Sequence, residues 1–371
     1  MKKFFLLAAL VGVALTGCMK NEVYVPKCDT PISFEVANYE AQTRAGDFVY
    51  TEFGVNAWSW EKSDATPVQM MKDEVVSKSV VDGETIWTTA TPYYWPIGEN
   101  SFVDFIAYYP KTVKPVINYC IGDVYGKDEL TYSNYIVSDV NLMYADKAIG
   151  FNKNNTATEN DTALDYTAGD YGFRGVPTLF RHALAKVNFK VQNAKPTDGV
   201  YSYDIKVNSI TLKVYNQGSV TLENDGTTPA TRGEWSVSGS AVNVWEPTTG
   251  SYATLVWDIP VTLTPTAPIA SYSPRTQYVL PQTLVAGDQK ITVDYTVTQY
   301  QTITIAGTPT KTKISEQNYE RTLDLRSDLL PHWEMNKNIT YTIALSSIGT
   351  QILFAPAVED WGTASGNVTI Q

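Results

Sequence analysis

The sequence predicts an all-β protein built as two tandem transthyretin-like, Greek-key β-sandwich domains, and the two-sandwich reading rests on three observations. Twenty-four Tyr and nine Trp stand among many Val and Thr, the residue types that fit a pleated, half-buried surface. Apolar residues recur at every second position rather than every 3.6. The 371 residues, at about 150 per domain, make two domains. A hydrophobic content of 43% is ample for packed cores. No amphipathic helix of useful length is legible.

The chain opens on an export signal. Lys2 and Lys3 form a basic start, Phe4 to Leu15 an apolar run, and Leu15-Thr16-Gly17-Cys18 a lipobox. That run falls short of the roughly 20 residues a membrane-spanning helix needs. Residues 1–17 are therefore read as a lipoprotein signal peptide and Cys18 as the acylated residue, anchored by its acyl chains at about 0.8 kcal/mol per buried CH₂. The expected location is the outer membrane and the cell surface.

Residues 18–46 form a leader. Within it Ile32, Phe34 and Val36 alternate with Ser33 and Glu35, giving a strand with one apolar face. Thr43 to Asp47 is small and polar, as an accessible cleavage site is. The first domain, 47–176, includes Phe102 to Tyr109, apolar on both faces apart from Asp104; that suits a central strand covered on both sides, with Pro110 ending it. Phe151 to Val176 is rich in Asn, Thr, Asp and Gly and reads as a long loop closing the domain.

The second domain, 177–371, carries the clearest alternation. Ala185, Val187, Phe189 and Val191 face one way and Lys186, Asn188 and Lys190 the other. Ile291, Val293, Tyr295 and Val297 repeat the pattern, as do Ile339, Tyr341, Ile343 and Leu345. A strand from Leu179 to Val191 is expected to pair, through the turn around Pro196 to Gly199, with Ser202 to Val214. Ile205 and Val207 share one phase and Ile210, Leu212 and Val214 the other, so a β-bulge is expected near Asn208-Ser209.

The formal charge of −11, more acidic still without Lys2 and Lys3, lacks the basic footprint of a nucleic-acid binder. After Cys18, only Cys28 and Cys120 remain; they form one disulfide or stand as two thiols. Two histidines and no CxxC spacing exclude a His-rich or zinc-type metal site, and no cofactor fingerprint occurs. The one nucleophile–base pairing to name, Cys120 with His182, has nothing in the sequence to join it, and His182 lies in phase with Lys186 and Lys190. The reading is a non-enzyme with no catalytic residues. Trp58 and Trp60 are either core aromatics or stacking platforms for sugars; the latter gives an alternative function, a surface lipoprotein that binds glycans.

Five segments in order resemble the fimbrillin family, the lipoprotein precursors of strand-exchange (type V) pili of Gram-negative anaerobes: Ile32–Ala45, Tyr93–Pro110, Phe180–Val191, Tyr278–Val297 and Asn338–Trp361. The resemblance implies a pilus subunit that supports surface adhesion, assembled with other fimbrillin subunits into a homo- or heteropolymer that meets host or bacterial surface ligands. It implies that a leading strand bearing Ile32, Phe34 and Val36 is released by cleavage between Arg44 and Ala45 and replaced by another subunit's C-terminal segment. Candidate donor residues are Ile352, Phe354, Val368 and Ile370; as the plainer alternatives, that run is an ordinary edge strand and Arg44 a linker residue. The polar insertions Lys111–Asn134 and Phe151–Val176 suit a tip or accessory subunit better than a stalk. Asp161-Thr162-Ala163 matches the acidic-Thr-small pattern of O-glycosylation in such bacteria, making Thr162 a candidate site.

Overall fold

The computed structural model describes residues 27–38, 49–121, 128–152, 175–223, 233–243, 261–345 and 353–360, except 63, 82, 99, 195, 267 and 268. These residues form strands, turns and loops with no helix. In chain order the strands of the first half are β1 (Lys27–Pro31), β2 (Phe34–Asn38), β3 (Glu52–Glu61), β4 (Asp64–Val81), β5 (Glu84–Thr89), β6 (Tyr94–Pro96), β7 (Ser101–Tyr109), β8 (Val116–Asn118), β9 (Glu129–Ile136), β10 (Met143–Ala145), β11 (Ala148–Phe151) and β12 (Val176–His182). Those of the second half are β13 (Ala185–Asn193), β14 (Thr197–Asp198), β15 (Tyr201–Val214), β16 (Gln217–Glu223), β17 (Ser236–Ser238), β18 (Val242–Asn243), β19 (Val261–Leu263), β20 (Ile269–Val279), β21 (Gln282–Thr283), β22 (Lys290–Ile305), β23 (Thr308–Asp324), β24 (His332–Trp333), β25 (Lys337–Leu345) and β26 (Leu353–Asp360).

The second half is a two-layer sandwich. One sheet runs β20-β13-β25-β26 and the other β14-β15-β22-β23. Every alternating set expected in the second domain faces one core: Ala185 to Val191 on β13 and Ile339 to Leu345 on β25 pack against Ile205 to Val214 on β15 and Ile291 to Val297 on β22. The bulge is present, because the β15–β22 register slips between Val207 and Ser209; the slip keeps both apolar phases pointed inward. The β22–β23 hairpin turns through Ala306 and Gly307, both at positive φ (49° and 82°), as a two-residue primed turn requires.

In the first half the strands run β10-β12-β2-β5-β4-β3-β7-β11, and β10 also pairs with β7, so the sheet closes on itself. Phe53, Val55, Met71, Trp87, Val103, Phe105 and Phe180 fill the interior. A third core lies between the halves: Ile106, Leu130, Tyr132 and Tyr144 from the first meet Leu184, Val220, Leu222 and Leu280 from the second. Strands β8 and β9 of the first half share a sheet with β16 and β17 of the second.

That shared layer explains why β7 is apolar on both faces. Val103, Phe105 and Ala107 serve the first core and Ile106 the junction. It also corrects three expectations. Leu179 to Val191 is not one strand: β12 belongs to the first sheet and β13 to the second, with Ala183 and Leu184 buried at the joint. The chain thus leaves the first sheet at His182. β13 pairs with β20 and β25 rather than with 202–214. Lys111–Asn134 is not merely an insertion, because it contributes β8 and β9.

Candidate functional site: the seat of the leading strand

The leader enters the fold at two places. β1 pairs with β6, with Lys27 opposite Pro96 and Pro31 opposite Tyr94. β2 then lies inside the closed sheet, parallel to β12 from Phe34↔Val176 to Asn38↔Phe180. Its other neighbour, β5, meets it at the single pair Phe34↔Trp87. The Ile32 amide donates to the Tyr93 carbonyl (2.7 Å) and the Val176 amide to the Ser33 carbonyl (2.8 Å).

Two side chains anchor the strand. Ile32 and Phe34 are 2% and 3% exposed, worth about 1.5–3 kcal/mol each in burial. The Phe34 ring meets those of Phe53 and Phe105 edge-on at 5.8 and 5.5 Å, an arrangement adding about 0.5–1.5 kcal/mol per pair. Val36 packs half-buried against the same core.

The walls of the seat are built for close approach. A Cβ on Gly175 would lie 2.6–2.8 Å from the Phe34 backbone, closer than any side chain tolerates, so only glycine lets the leader pair there. β12 is pinned from behind by Arg181, whose Nε and Nη2 donate to the two carboxylate oxygens of Asp146 at 2.7 and 2.6 Å. The pair is bidentate and buried, the geometry in which an ion pair fixes orientation. Neither Gly175 nor the Arg181–Asp146 pair stood out in the sequence; the one local signal is a glycine placed between a long polar stretch and a strand.

The other expected residues fall as follows. Phe354 lies in β26, its backbone opposite Ile343 of β25. Trp58 and Trp60 are half-buried: Trp58 stacks on Tyr119 with ring centroids 4.3 Å apart and planes 3° from parallel, and the Trp60 Nε1–H donates to Asp104 at 2.9 Å. Cys120 lies beside Asp128, which accepts its amide hydrogen, and His182 beside Asn141 (2.6 Å). Cys28 is in β1 with its side chain outside the described residues, where Cys18, Arg44, Ala45, Thr162, Ile352, Val368 and Ile370 also lie. Among the described residues no cluster of His, Cys, Asp and Glu is arranged to hold a metal ion.

The described residues form an all-β, sandwich-type protein whose first sheet includes a strand from ahead of Arg44. A fimbrillin-like family model matches residues 43–361, and the chain belongs to the fimbrillin-like family. Membership carries the fimbrial, cell-surface class of protein. Among solved structures the chain is similar to a fimbrial protein from Bacteroides vulgatus (15% identity, 89% of this chain and 99% of that one, TM-score 0.46). It is also similar to a candidate cell adhesion protein from Bacteroides uniformis (17% identity, 90% and 98%, TM-score 0.43). Among curated proteins none matches.

Proposed function

We propose that this protein is a non-catalytic fimbrial subunit that polymerises by strand exchange, as a tip or accessory component supporting adhesion. The observation that carries the reading is the position of β2. It is an inner strand of a closed sheet, seated by buried Ile32 and Phe34, yet it precedes the Arg44-Ala45 bond in the chain. Cleavage there cuts β2 from the rest of the subunit; its departure opens a slot between β12 and β5, lined by apolar side chains and unpaired backbone. A partner's extended segment filling such a slot is β-augmentation, with affinity from the backbone and specificity from the side-chain pockets. The donor is the C-terminal segment, with Ile352 and Phe354 or Val368 and Ile370 as its apolar residues. Acylation of Cys18 holds the precursor at the outer membrane until cleavage. Thr162 is a candidate O-glycosylation site of the same chain.

The Cys28–Cys120 disulfide competes with release of the leader, since a bond between them would retain the leader after cleavage; intact mass with and without reductant after mild trypsin separates the two. The function itself is tested by N-terminal sequencing of the surface protein together with polymerisation of a chain lacking Asn367–Gln371. The expected results are a start at Ala45 and loss of polymer in the truncated chain. A surface pool that starts wholly at a blocked Cys18, or a truncated chain that polymerises normally, overturns the proposal.

A further inference from the structure

A lysine and two aspartates are buried together where the shared sheet meets the first sandwich. Lys147 lies between β10 and β11, Asp104 on β7 and Asp128 immediately before β9. Their side chains are 2%, 0% and 2% exposed. Lys147 Nζ stands 2.5 Å from Asp128 Oδ2 and 3.4 Å from Asp104 Oδ2, with the Tyr119 ring 4.7 Å away. It also donates to the Cys120 carbonyl at 2.6 Å.

The two aspartates have different surroundings. Asp104 accepts hydrogen bonds from Trp60 Nε1 (2.9 Å), the Gly150 amide (2.8 Å) and the Tyr119 hydroxyl (2.9 Å). Burial and the Asp104 charge hold the Tyr119 phenol protonated, so it remains a donor. Asp128 accepts the Cys120 amide on Oδ1 at 2.6 Å, and burial raises its carboxyl above the usual range despite Lys147. One ammonium and two carboxylates leave a net negative charge in a dry site, an arrangement with a large desolvation penalty.

We infer that Lys147 and Asp128 condense into an intramolecular isopeptide bond, with Asp104 as the proton-transferring carboxylate. A proton passes from the Lys147 ammonium to Asp128, so a neutral amine faces a neutral carboxylic acid at no change in total charge. The Nζ lone pair attacks Asp128 Cγ, whose oxygen Oδ1 is polarised by the Cys120 N–H in the manner of an oxyanion hole. Asp104 takes a proton from the nitrogen and returns it to the departing hydroxyl. One C–N bond forms, one C–O bond breaks, one water leaves, and Asp104 ends as it began. The buried site goes from three charges to one. Contact held by the fold supplies the proximity that the reaction lacks in solution, and no cofactor or oxidant is needed. The product ties the strand leading into the shared sheet to the β10–β11 connection of the first sandwich.

The inference does not depend on strand exchange, and its readout is mass. The purified full chain, denatured and reduced, is expected to be lighter than its sequence mass by one water. Trypsin is expected not to cut after Lys147, and fragment spectra to show the 147 and 128 peptides joined. Asp104→Asn and Lys147→Arg are each expected to restore the full mass; Asp128→Asn is expected to lose ammonia in place of water, the new carboxamide acting as electrophile. A wild-type chain at full mass that trypsin cuts after Lys147, or a deficit that persists in Lys147→Arg, reduces the cluster to a buried ion pair and overturns the inference. The wild-type mass decides the matter even where a variant fails to fold.

Discussion

The leading strand β2, of five residues, and the trailing strand β26, of eight, hold opposite positions. β2 lies inside a closed sheet between two neighbours, while β26, among the described residues, lies at the rim of a four-stranded sheet, paired with β25 alone from Lys337↔Asp360 to Ala344↔Leu353. Phe34 of β2 and Ile32 just before it are buried, whereas Val358 of β26 is 42% exposed. Losing β2 leaves two unpaired edges and an apolar slot; losing β26 exposes one edge of a sheet that keeps its other strands. On the proposed strand exchange, the inner strand would make the vacancy and the outer one would leave its own sheet at the smaller cost.

The sharpest way to break this comparison is Phe34→Ala in the uncleaved chain. Loss of a buried ring against Phe53 and Phe105 is expected to cost about 3–5 kcal/mol, read as a lowered denaturation midpoint of the chain. An unchanged midpoint would mean that β2 contributes nothing to the first sheet. Gly175→Ala comes next. The new Cβ meets the Phe34 backbone, so the leader is expected to lose its seat, with faster proteolysis at Arg44 and a destabilisation of roughly 1–3 kcal/mol as for other overpacked sites.

Acid gives a third test. His182 ends β12, the wall on which β2 pairs, and burial, with the Lys186 charge second, depresses its imidazole to about 3. Because the folded pKa lies below the unfolded value near 6.5, the unfolded chain binds the proton first as pH falls. Stability is present above about 6.5 and is lost on descending toward 3, about 2 kcal/mol by pH 5. Chemical denaturation at pH 7 and pH 5 measures this, and His182→Gln is expected to flatten the difference. The smallest effect is expected from Val358→Lys on the outer strand: within about 0.5 kcal/mol, as for an exposed surface change. A larger loss there would show that the trailing strand is held as firmly as the leading one.

Much of this arrangement was legible in the chain. Period-two alternation marked β13, β22 and β25 and the face each buries, and the phase change after Val207 marked the bulge, because side-chain direction in a strand follows from sequence parity alone. The same parity marked the apolar face of Ile32, Phe34 and Val36. What it could not show was partnership. Leu179 to Val191 reads as one strand, yet the chain changes sheets at Ala183-Leu184, since alternation records which face is buried and not which layer buries it. The pairing of β8 and β9 with β16 and β17 was hidden likewise, because short polar strands carry little apolar signal.

The sequence by itself determined an all-β chain with an acidic balance of charge, and it raised the expectations of an export signal and of a strand-like leader ahead of Arg44, all from local properties of residue type and order. Only the tertiary structure decided that the leader is an inner strand, that Gly175 admits it, and that Asp104, Asp128 and Lys147 meet in one dry site. Those three residues come together across a span of 44 positions because β7, β9 and the β10–β11 connection converge at the junction, and no spacing rule along the chain encodes a convergence made by sheets packing on sheets.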